Sequence, residues 1–218
     1  MAHYVLDVNE TLSDLTPIGA TLDRHGAPAE LGRTWFAGVL RDGFALSLQG
    51  RAPAFLDLAR QCLVRCLSGT AHLEAPLDEV VEDVLQTLSE LQVHPDVVPG
   101  IRSLADAGHV ITAFSNGSAA ATRALLDRAG VLDLLAHVLS VEGTGVWKPH
   151  PASYQRAADQ LRAEPADLTM VAVHPWDLDG AAAAGLRTAW LDRDDDVWPA
   201  SFRTPLRRVT ALEDLAHG

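Results

Sequence analysis

The sequence predicts an α/β fold whose sheet is interrupted, directly after its first strand, by a long helical segment. Two observations support this prediction. Residues 4–8 form a short apolar run that includes Asp7 and is too brief for an amphipathic helix, so it is typical of a buried parallel strand. Beyond residue 93, short apolar runs alternate with helical patterns, and this βαβα order implies a parallel sheet with right-handed crossovers.

The segment between these two parts has the patterns of helices and no convincing strand. Helices are predicted over residues 17–25, 29–46, 52–68 and 77–92, with turn signals at Gly26, Gly50 and Ala75 between them. The last of these helices carries an apolar stripe at helical spacing, made of Val80, Val81, Val84, Leu85 and Leu88. We therefore expect a core domain of residues 1–12 and 93–218 and a helical cap domain of residues 13–92.

The second part of the predicted core repeats one unit several times. Strands are predicted over residues 109–114, 136–140, 169–173 and 187–191, and helices over residues 100–107, 119–129, 153–161 and 180–184. This alternation is typical of a Rossmann-like parallel sheet. In such sheets the ligand site lies beyond the carboxyl ends of the strands.

Composition and charge exclude two classes of partner. The chain has 218 residues, 48% of them hydrophobic, and a net charge of −12 without any basic run. Nucleic acids and anionic membranes both require clustered Lys and Arg, so neither is an expected partner. There is no basic leader before an apolar run, and no stretch approaches about 18 consecutive apolar residues. We therefore expect a cytoplasmic protein.

Polar side chains follow four of the predicted strands. They are Asp7, Asn9 and Thr11 after the first strand, Ser115 and Asn116 after the second, Lys148 beyond the third, and His174, Trp176 and Asp177 after the fourth. A single carboxylate in such a place often caps a helix, and Asp177 before a helix that begins near Gly180 is open to that interpretation. Four polar strand ends together predict a catalytic site at this edge of the sheet.

Four short strings at these strand ends resemble the motifs of a known family. They are DVNETL from Asp7, FSNGS from Phe114, WKPHP from Trp147 and HPWDLDG from His174. Their order and spacing, and the insert after the first string, resemble the haloacid dehalogenase (HAD) superfamily over nearly the whole chain. The resemblance implies a HAD core with an inserted helical cap, and Asp7 as a covalent nucleophile.

The branch of the superfamily is indicated by two positions. HAD phosphatases carry a second Asp two residues after the nucleophile, and a carboxylate that binds Mg²⁺ four residues before the position of Asp177. Here Asn9 and Val173 stand at these two positions. Asn cannot deliver a proton and Val cannot bind Mg²⁺. The chain is thus more similar to the L-2-haloacid dehalogenase (type II) branch, which uses no metal or other cofactor.

This resemblance implies hydrolytic dehalogenation of small 2-haloalkanoic acids. Asp7 attacks the carbon that bears the halogen and forms an ester, while Lys148 keeps Asp7 ionised. Thr11 and Ser115 orient the carboxylate oxygens of Asp7. Asp177 helps to hold and deprotonate the water that hydrolyses the ester. A homodimer is a further expectation from the relatives.

The same resemblance implies which residues bind substrate. Asn116 would help to bind the leaving halide. Further substrate contacts are expected from Val8, Asn9, Trp35, Phe36, Tyr154, His174 and Trp176. For several of these a packing role is the alternative: Trp35 and Phe36 in the insert core, and Trp176 against its neighbours. His174 accepts a proton, hydrogen-bonds the substrate carboxylate, or is purely structural.

Some positions depart from the dehalogenase branch. That branch has an arginine after a tryptophan in the first insert helix, whereas Phe36 follows Trp35 here. Its Tyr and Gly after the nucleophile are replaced by Asn9 and Glu10, and its motif-four Ser and Asn by Ala172 and His174. Two alternatives therefore stay open. One is a HAD-type phosphatase with an atypical metal site, and the other is a catalytically degraded member that binds a small acid or a protein.

Overall fold

The structure, a computed structural model, describes residues 1–70 and 72–217. Its sheet consists of β1 (His3–Leu6), β2 (Val110–Ser115), β3 (His137–Ser140), β4 (Leu168–Ala172), β5 (Arg187–Leu191) and β6 (Arg207–Val209). The strand order is β3-β2-β1-β4-β5-β6, and all five pairs are parallel. This confirms the predicted Rossmann-like α/β fold. The order reverses between β1 and β4, which is where open α/β sheets bind their ligands.

Helices fill the insert and cover the sheet. The insert holds α1 (Thr16–Arg24), α2 (Leu31–Ser47), α3 (Phe55–Leu67) and α4 (Leu77–Ser89). The rest of the chain holds α5 (Val97–Asp106), α6 (Ala119–Arg128), α7 (Pro151–Leu161) and α8 (Pro175–Ala183), with 3-10 turns at Leu132–Leu134, Pro165–Asp167 and Leu212–His217. One apolar cluster joins α1–α4 to one face of the sheet, and a second lies under α5 and α6.

The insert leaves the sheet and returns to it at one point. The backbone N–H of Asp14 donates to the carbonyl of Gln92 at 2.9 Å, and that of His94 donates to Leu12 at 2.9 Å. Ser13 and Val93 form an antiparallel bridge between these two bonds. The two segments that connect the insert to the sheet are thus hydrogen-bonded to each other. The division into a core and a cap domain stays a prediction.

Three of the differences from the sequence prediction have a clear physical reason. Helix α5 begins at Val97 instead of residue 100, because Pro99 falls in the first turn, where its missing N–H leaves no helical bond unmade. Helix α8 begins at Pro175, so the expectation that Asp177 caps a helix starting near Gly180 is wrong, and His174 takes the N-cap position. Strand β6 was not predicted because its three residues are mostly arginine.

Within the described residues, every helix is too short or too polar to cross a membrane. The described residues also contain no group of three or more His, Cys, Asp or Glu side chains that could hold a metal ion.

Candidate active site

Asp7 directly follows β1 at the reversal of strand order. Its backbone N–H continues the ladder to β4, donating to the carbonyl of Val171 at 2.9 Å. Its carboxylate is buried, and Oδ2 accepts a 2.7 Å hydrogen bond from the hydroxyl of Thr11. The same hydroxyl accepts the N–H of Val173 at 3.2 Å. Thr11 therefore orients one carboxylate oxygen of Asp7 and is itself fixed to the end of β4.

Lys148 brings a positive charge to this carboxylate. Its ammonium is fully buried and donates to Asp7 Oδ1 and Asp177 Oδ2, both at 2.8 Å, and to the carbonyl of Phe114 at 2.9 Å. These three acceptors match the three protons of an ammonium group. Burial lowers the pKa of Lys148, but Asp177 and Asp7 outweigh it and raise that pKa above its usual value. Lys148 is therefore a permanent cation between two carboxylates.

Asp177 lies in the first turn of α8 and is fully buried. Its second oxygen, Oδ1, accepts the hydroxyl of Tyr154 at 2.5 Å. Burial raises the pKa of Asp177, and the negative charge of Asp7 adds to that, while Lys148 opposes it. The close packing here depends on Gly180, because a Cβ at that position would lie 2.9 Å from the Tyr154 hydroxyl. Tyr154 therefore reaches the site, but its hydroxyl is bound to Asp177.

His174 and Glu10 form a second charged pair on the other side of Asp7. His174 Nδ1 lies 3.2 Å from Asp7 Oδ2, and its Nε2 lies 2.8 Å from Glu10 Oε2. The His174 side chain is 13% exposed and that of Glu10 is 35% exposed, so this pair faces the accessible part of the site. Glu10 has a φ of 62°, a left-handed conformation that costs a residue with a side chain on the order of 1 kcal/mol.

The charges of the site hold Asp7 ionised. Burial alone would raise the pKa of Asp7, but the ammonium of Lys148 and the hydrogen bond from His174 outweigh it and hold that pKa well below its usual range. Burial alone would lower the pKa of His174, because it disfavours the charged imidazolium. The hydrogen bonds to Asp7 and Glu10 outweigh burial and raise this pKa to about 9. At neutral pH the resting site thus contains a carboxylate at Asp7 and an imidazolium at His174.

This pKa of His174 predicts how stability depends on pH. The folded value of about 9 lies above the unfolded value near 6.5, so the stabilisation is full below about 6.5 and is lost as pH rises through 9. We expect the difference in free energy of unfolding between the wild type and His174→Gln to shrink over that range, measured by urea unfolding at several pH values. His72→Gln, at an exposed position, is the control. Parallel curves for wild type and His174→Gln would contradict the assignment.

Two predicted residues at the end of β2 have other partners than expected. Ser115 makes no hydrogen bond to Asp7; its hydroxyl oxygen accepts the N–H of Gly117 at 2.9 Å. The side chain of Asn116 accepts the Lys148 N–H at 2.9 Å and donates to the Lys148 carbonyl at 3.1 Å. Both ends of this amide are bound to backbone, so Asn116 holds Lys148 in place, and its role in binding a halide stays a prediction.

Val8 and Asn9 follow Asp7 closely and differ in burial. Val8 packs in the apolar cluster under α5. Asn9 is half-buried, and its side-chain amide has no hydrogen-bond partner among the described residues. Its Nδ2 would lie 3.9 Å from a Cβ built on Gly117, so it faces the turn after β2.

The aromatic residues divide between the insert and the site. Trp35 is fully buried in the insert, where its Nε1 donates to the carbonyl of Ala59 at 2.8 Å. Phe36 packs on Phe55, with ring centroids 6.1 Å apart. Both therefore belong to the insert core, which was the alternative to substrate contact. Trp176 stacks on His174 at 4.9 Å and forms one wall beside it.

Sequence reasoning did not assign a role to Glu10. The one available signal is that Glu10 stands where the resembled branch has glycine. A glycine at that point indicates a left-handed backbone, which is strained for any residue with a side chain. A residue other than glycine there therefore indicates that its side chain has a specific partner. The partner, His174, is 164 residues away along the chain, and only the fold brings the two together.

Comparison with known proteins agrees with this geometry. Residues 4–185 match the family model of the haloacid dehalogenase-like hydrolases. An (S)-2-haloacid dehalogenase from Xanthobacter autotrophicus is 30% identical over 87% of this chain and 74% of its own. A solved dehalogenase structure is 27% identical, covers 99% of this chain and 95% of its own, and superposes with a TM-score of 0.91.

A further solved structure shares the fold at lower identity. It is the L-2-haloacid dehalogenase from Xanthobacter autotrophicus with chloropropionic acid covalently bound, at 24% identity and a TM-score of 0.88, over 100% of this chain and 98% of its own. The resemblance stated from the four motifs is thereby confirmed. The chain belongs to the haloacid dehalogenase-like hydrolase family, and within that family it is similar to the (S)-2-haloacid dehalogenases.

Proposed function

We propose that this chain hydrolyses small (S)-2-haloalkanoic acids through an ester at Asp7. The observation that carries this proposal is the state of Asp7: a buried carboxylate, kept ionised by Lys148 and His174, at the reversal of strand order. An ionised carboxylate with little water around it is a good nucleophile toward carbon. The similarity to relatives named (S)-2-haloacid dehalogenases supports the substrate class and the stereochemistry.

In the first step, an oxygen of Asp7 attacks the carbon that bears the halogen. The new C–O bond forms as the carbon–halogen bond breaks, and the halide leaves with the bonding electrons. Lys148 and Thr11 fix the two carboxylate oxygens, so the attacking atom is presented in one orientation. Asn9 is the residue we assign to the incoming substrate, because its amide is a donor without a partner in residues 1–70 and 72–217.

Ester formation changes the electrostatics of His174. Esterified Asp7 is neutral, so His174 loses one of the two anions that raise its pKa. Its pKa then falls toward its ordinary value, so the imidazolium releases its proton to solvent at the accessible side of the site. The neutral imidazole that remains can accept a proton. Glu10 remains bound to the other ring nitrogen and stabilises the imidazolium that forms.

In the second step, we assign the base to His174. It takes a proton from the water that attacks the carboxyl carbon of the ester. The bond between that carbon and the substrate oxygen then breaks, and the His174 imidazolium gives its proton to the leaving alkoxide, which departs as the 2-hydroxy acid. The Asp7 carboxylic acid that remains passes its proton to His174, which restores the carboxylate and the imidazolium. This revises the expectation that Asp177 deprotonates the water. Asp177 has no accessible surface, whereas the His174 side chain is 13% exposed and can meet water.

The test of this function is halide release in the presence of EDTA. The substrates are (S)-2-chloropropionate, (R)-2-chloropropionate and chloroacetate. We expect release from the (S) acid and from chloroacetate, and little from the (R) acid. No halide from any of the three would contradict the proposal, and hydrolysis of phosphate esters with Mg²⁺ would then favour a phosphatase. A homodimer and a cytoplasmic location stay predictions, which size-exclusion chromatography and cell fractionation would test.

Replacing His174 separates the two chemical steps. In His174→Gln the first step is retained in part, but no group accepts the proton of the water. We expect one halide per enzyme in a burst, and then turnover slower by about 10²–10⁴-fold. Mass spectrometry of the quenched enzyme should detect the ester on the peptide that contains Asp7. Fast steady turnover without a trapped ester would assign the base to another residue.

A further inference from the structure

Trp147 directly precedes Lys148, yet its contacts come from the insert. Its backbone N–H donates to the hydroxyl of Ser47 at 2.8 Å, at the end of α2, and its Nε1 donates to the carbonyl of Pro53 at 3.2 Å. Its ring stacks on Phe55 at the start of α3, with centroids 5.6 Å apart. The side chain is almost completely buried. Trp147 is thus anchored to the insert by two hydrogen bonds and a stacked ring.

A glycine in α2 makes room for this anchor. A Cβ on Gly43 would lie 2.2 Å from Cζ3 and 2.3 Å from Cε3 of the Trp147 ring, well inside van der Waals contact. Glycine within a helix is unfavourable by roughly 0.5–1 kcal/mol relative to alanine. The close approach of the indole ring accounts for its presence at this position.

Lys148 has the opposite surroundings, because the hydrogen-bond partners of its side chain lie outside the insert, in or beside the sheet. They are Asp7, Phe114 and Asp177, and Asn116 holds its backbone. Adjacent Cα atoms are joined by a rigid planar peptide about 3.8 Å apart. A displacement of Trp147 by the insert therefore moves Lys148, whose ammonium must meet three acceptors at once.

We propose that Trp147 is a positioning residue through which helices α2 and α3 set the place of the Lys148 ammonium. The proposal rests on the proposed function for its activity readout, because it concerns the same reaction. It follows that the insert affects the pKa of the Asp7 carboxyl indirectly, through Trp147 and Lys148. When the insert is displaced, Lys148 withdraws, and the pKa of Asp7 rises.

The test compares two glycines of the same helix. Gly43→Ala forces the Trp147 ring to move, whereas a Cβ on Gly38 would meet nothing within 4 Å. A misplacement of about 1 Å can slow a reaction on the order of 100-fold. We expect kcat for halide release to fall by about that factor in Gly43→Ala, with KM little changed and the acid limb of the pH profile moved to higher pH. Gly38→Ala should match the wild type in all three.

A second pair of measurements keeps the test decisive. If Gly43→Ala does not fold, Ser47→Ala removes the hydroxyl bonded to the Trp147 N–H and should shift the same quantities less. A ¹³C NMR titration of the Asp7 carboxyl reads the displacement without turnover, so it remains informative even if the wild type releases no halide. Wild-type kcat and an unshifted Asp7 titration in folded Gly43→Ala would overturn the positioning role.

Discussion

Halide release from (S)-2-chloropropionate is expected to fall by about 10⁴-fold or more when Asp7 is replaced by asparagine. The amide has nearly the same shape as the carboxylate, but it is uncharged and a poor nucleophile. The other two carboxylates of the site are not placed to substitute, because Asp177 has no accessible surface and Glu10 is paired with His174 on the far side of that ring from Asp7. The measurement is initial-rate halide release in EDTA.

The matched control is Asp23→Asn, the same chemical change at an exposed position in α1. It should release halide at the wild-type rate, which shows that the effect at residue 7 is local. Acid quench before the ester is hydrolysed, followed by digestion, should yield a peptide heavier by the 1-carboxyethyl group of the substrate in the wild type and in the control only. A tenth or more of the wild-type rate in Asp7→Asn would place the nucleophile elsewhere.

The largest loss of stability is expected from Lys148→Met. The two side chains have similar length, but methionine leaves Asp7 and Asp177 buried without the cation that compensates them. Removing one partner of a buried ion pair costs about 3–5 kcal/mol. We expect the free energy of unfolding at pH 7.5 to fall by about that amount, and halide release to be lost. Urea unfolding measures the first and the halide assay the second.

The pH dependence of this variant distinguishes lost charge from lost packing. Without Lys148 the folded-state pKa of Asp7 rises, and that of Asp177, already raised by burial, rises further above its unfolded value. The folded variant therefore gains stability as pH falls and Asp177 takes up a proton. Lys148→Met/Asp177→Asn removes one of the two charges and should recover part of the loss at pH 7.5. A loss below about 1 kcal/mol in Lys148→Met would contradict the role of the ammonium.

The central part of the site could be predicted from the sequence because strand ends of a parallel sheet converge. Asp7, Lys148 and Asp177 each follow a predicted strand or its loop, and the structure brings both carboxylates within hydrogen-bond distance of the Lys148 ammonium. Thr11 was predictable for a similar reason, since it lies only four residues from Asp7 in a tight turn. Local pattern and sheet topology are enough for these contacts.

The remaining contacts depend on the orientation of side chains and backbone, which the sequence pattern does not determine. Asn116 follows β2 as predicted, but its amide is turned back onto the Lys148 backbone. Glu10 meets His174 only through an unusual backbone angle. Trp147 directly precedes Lys148 in the sequence. Its side chain nevertheless packs against α2 and α3, which precede it by about a hundred residues. Orientation, rather than position in the chain, decides each of these roles.

The paired connections at Ser13 and Val93 have a consequence for how such chains diversify. Because the insert departs and returns at adjacent, hydrogen-bonded points, its length and helix count can change while the spacing of those points stays the same. Gene rearrangement could therefore exchange the whole insert as a module without altering the backbone that carries Asp7. An incoming module would have to present an apolar face to the sheet and an indole-sized recess, opposite residue 147, that receives Trp147.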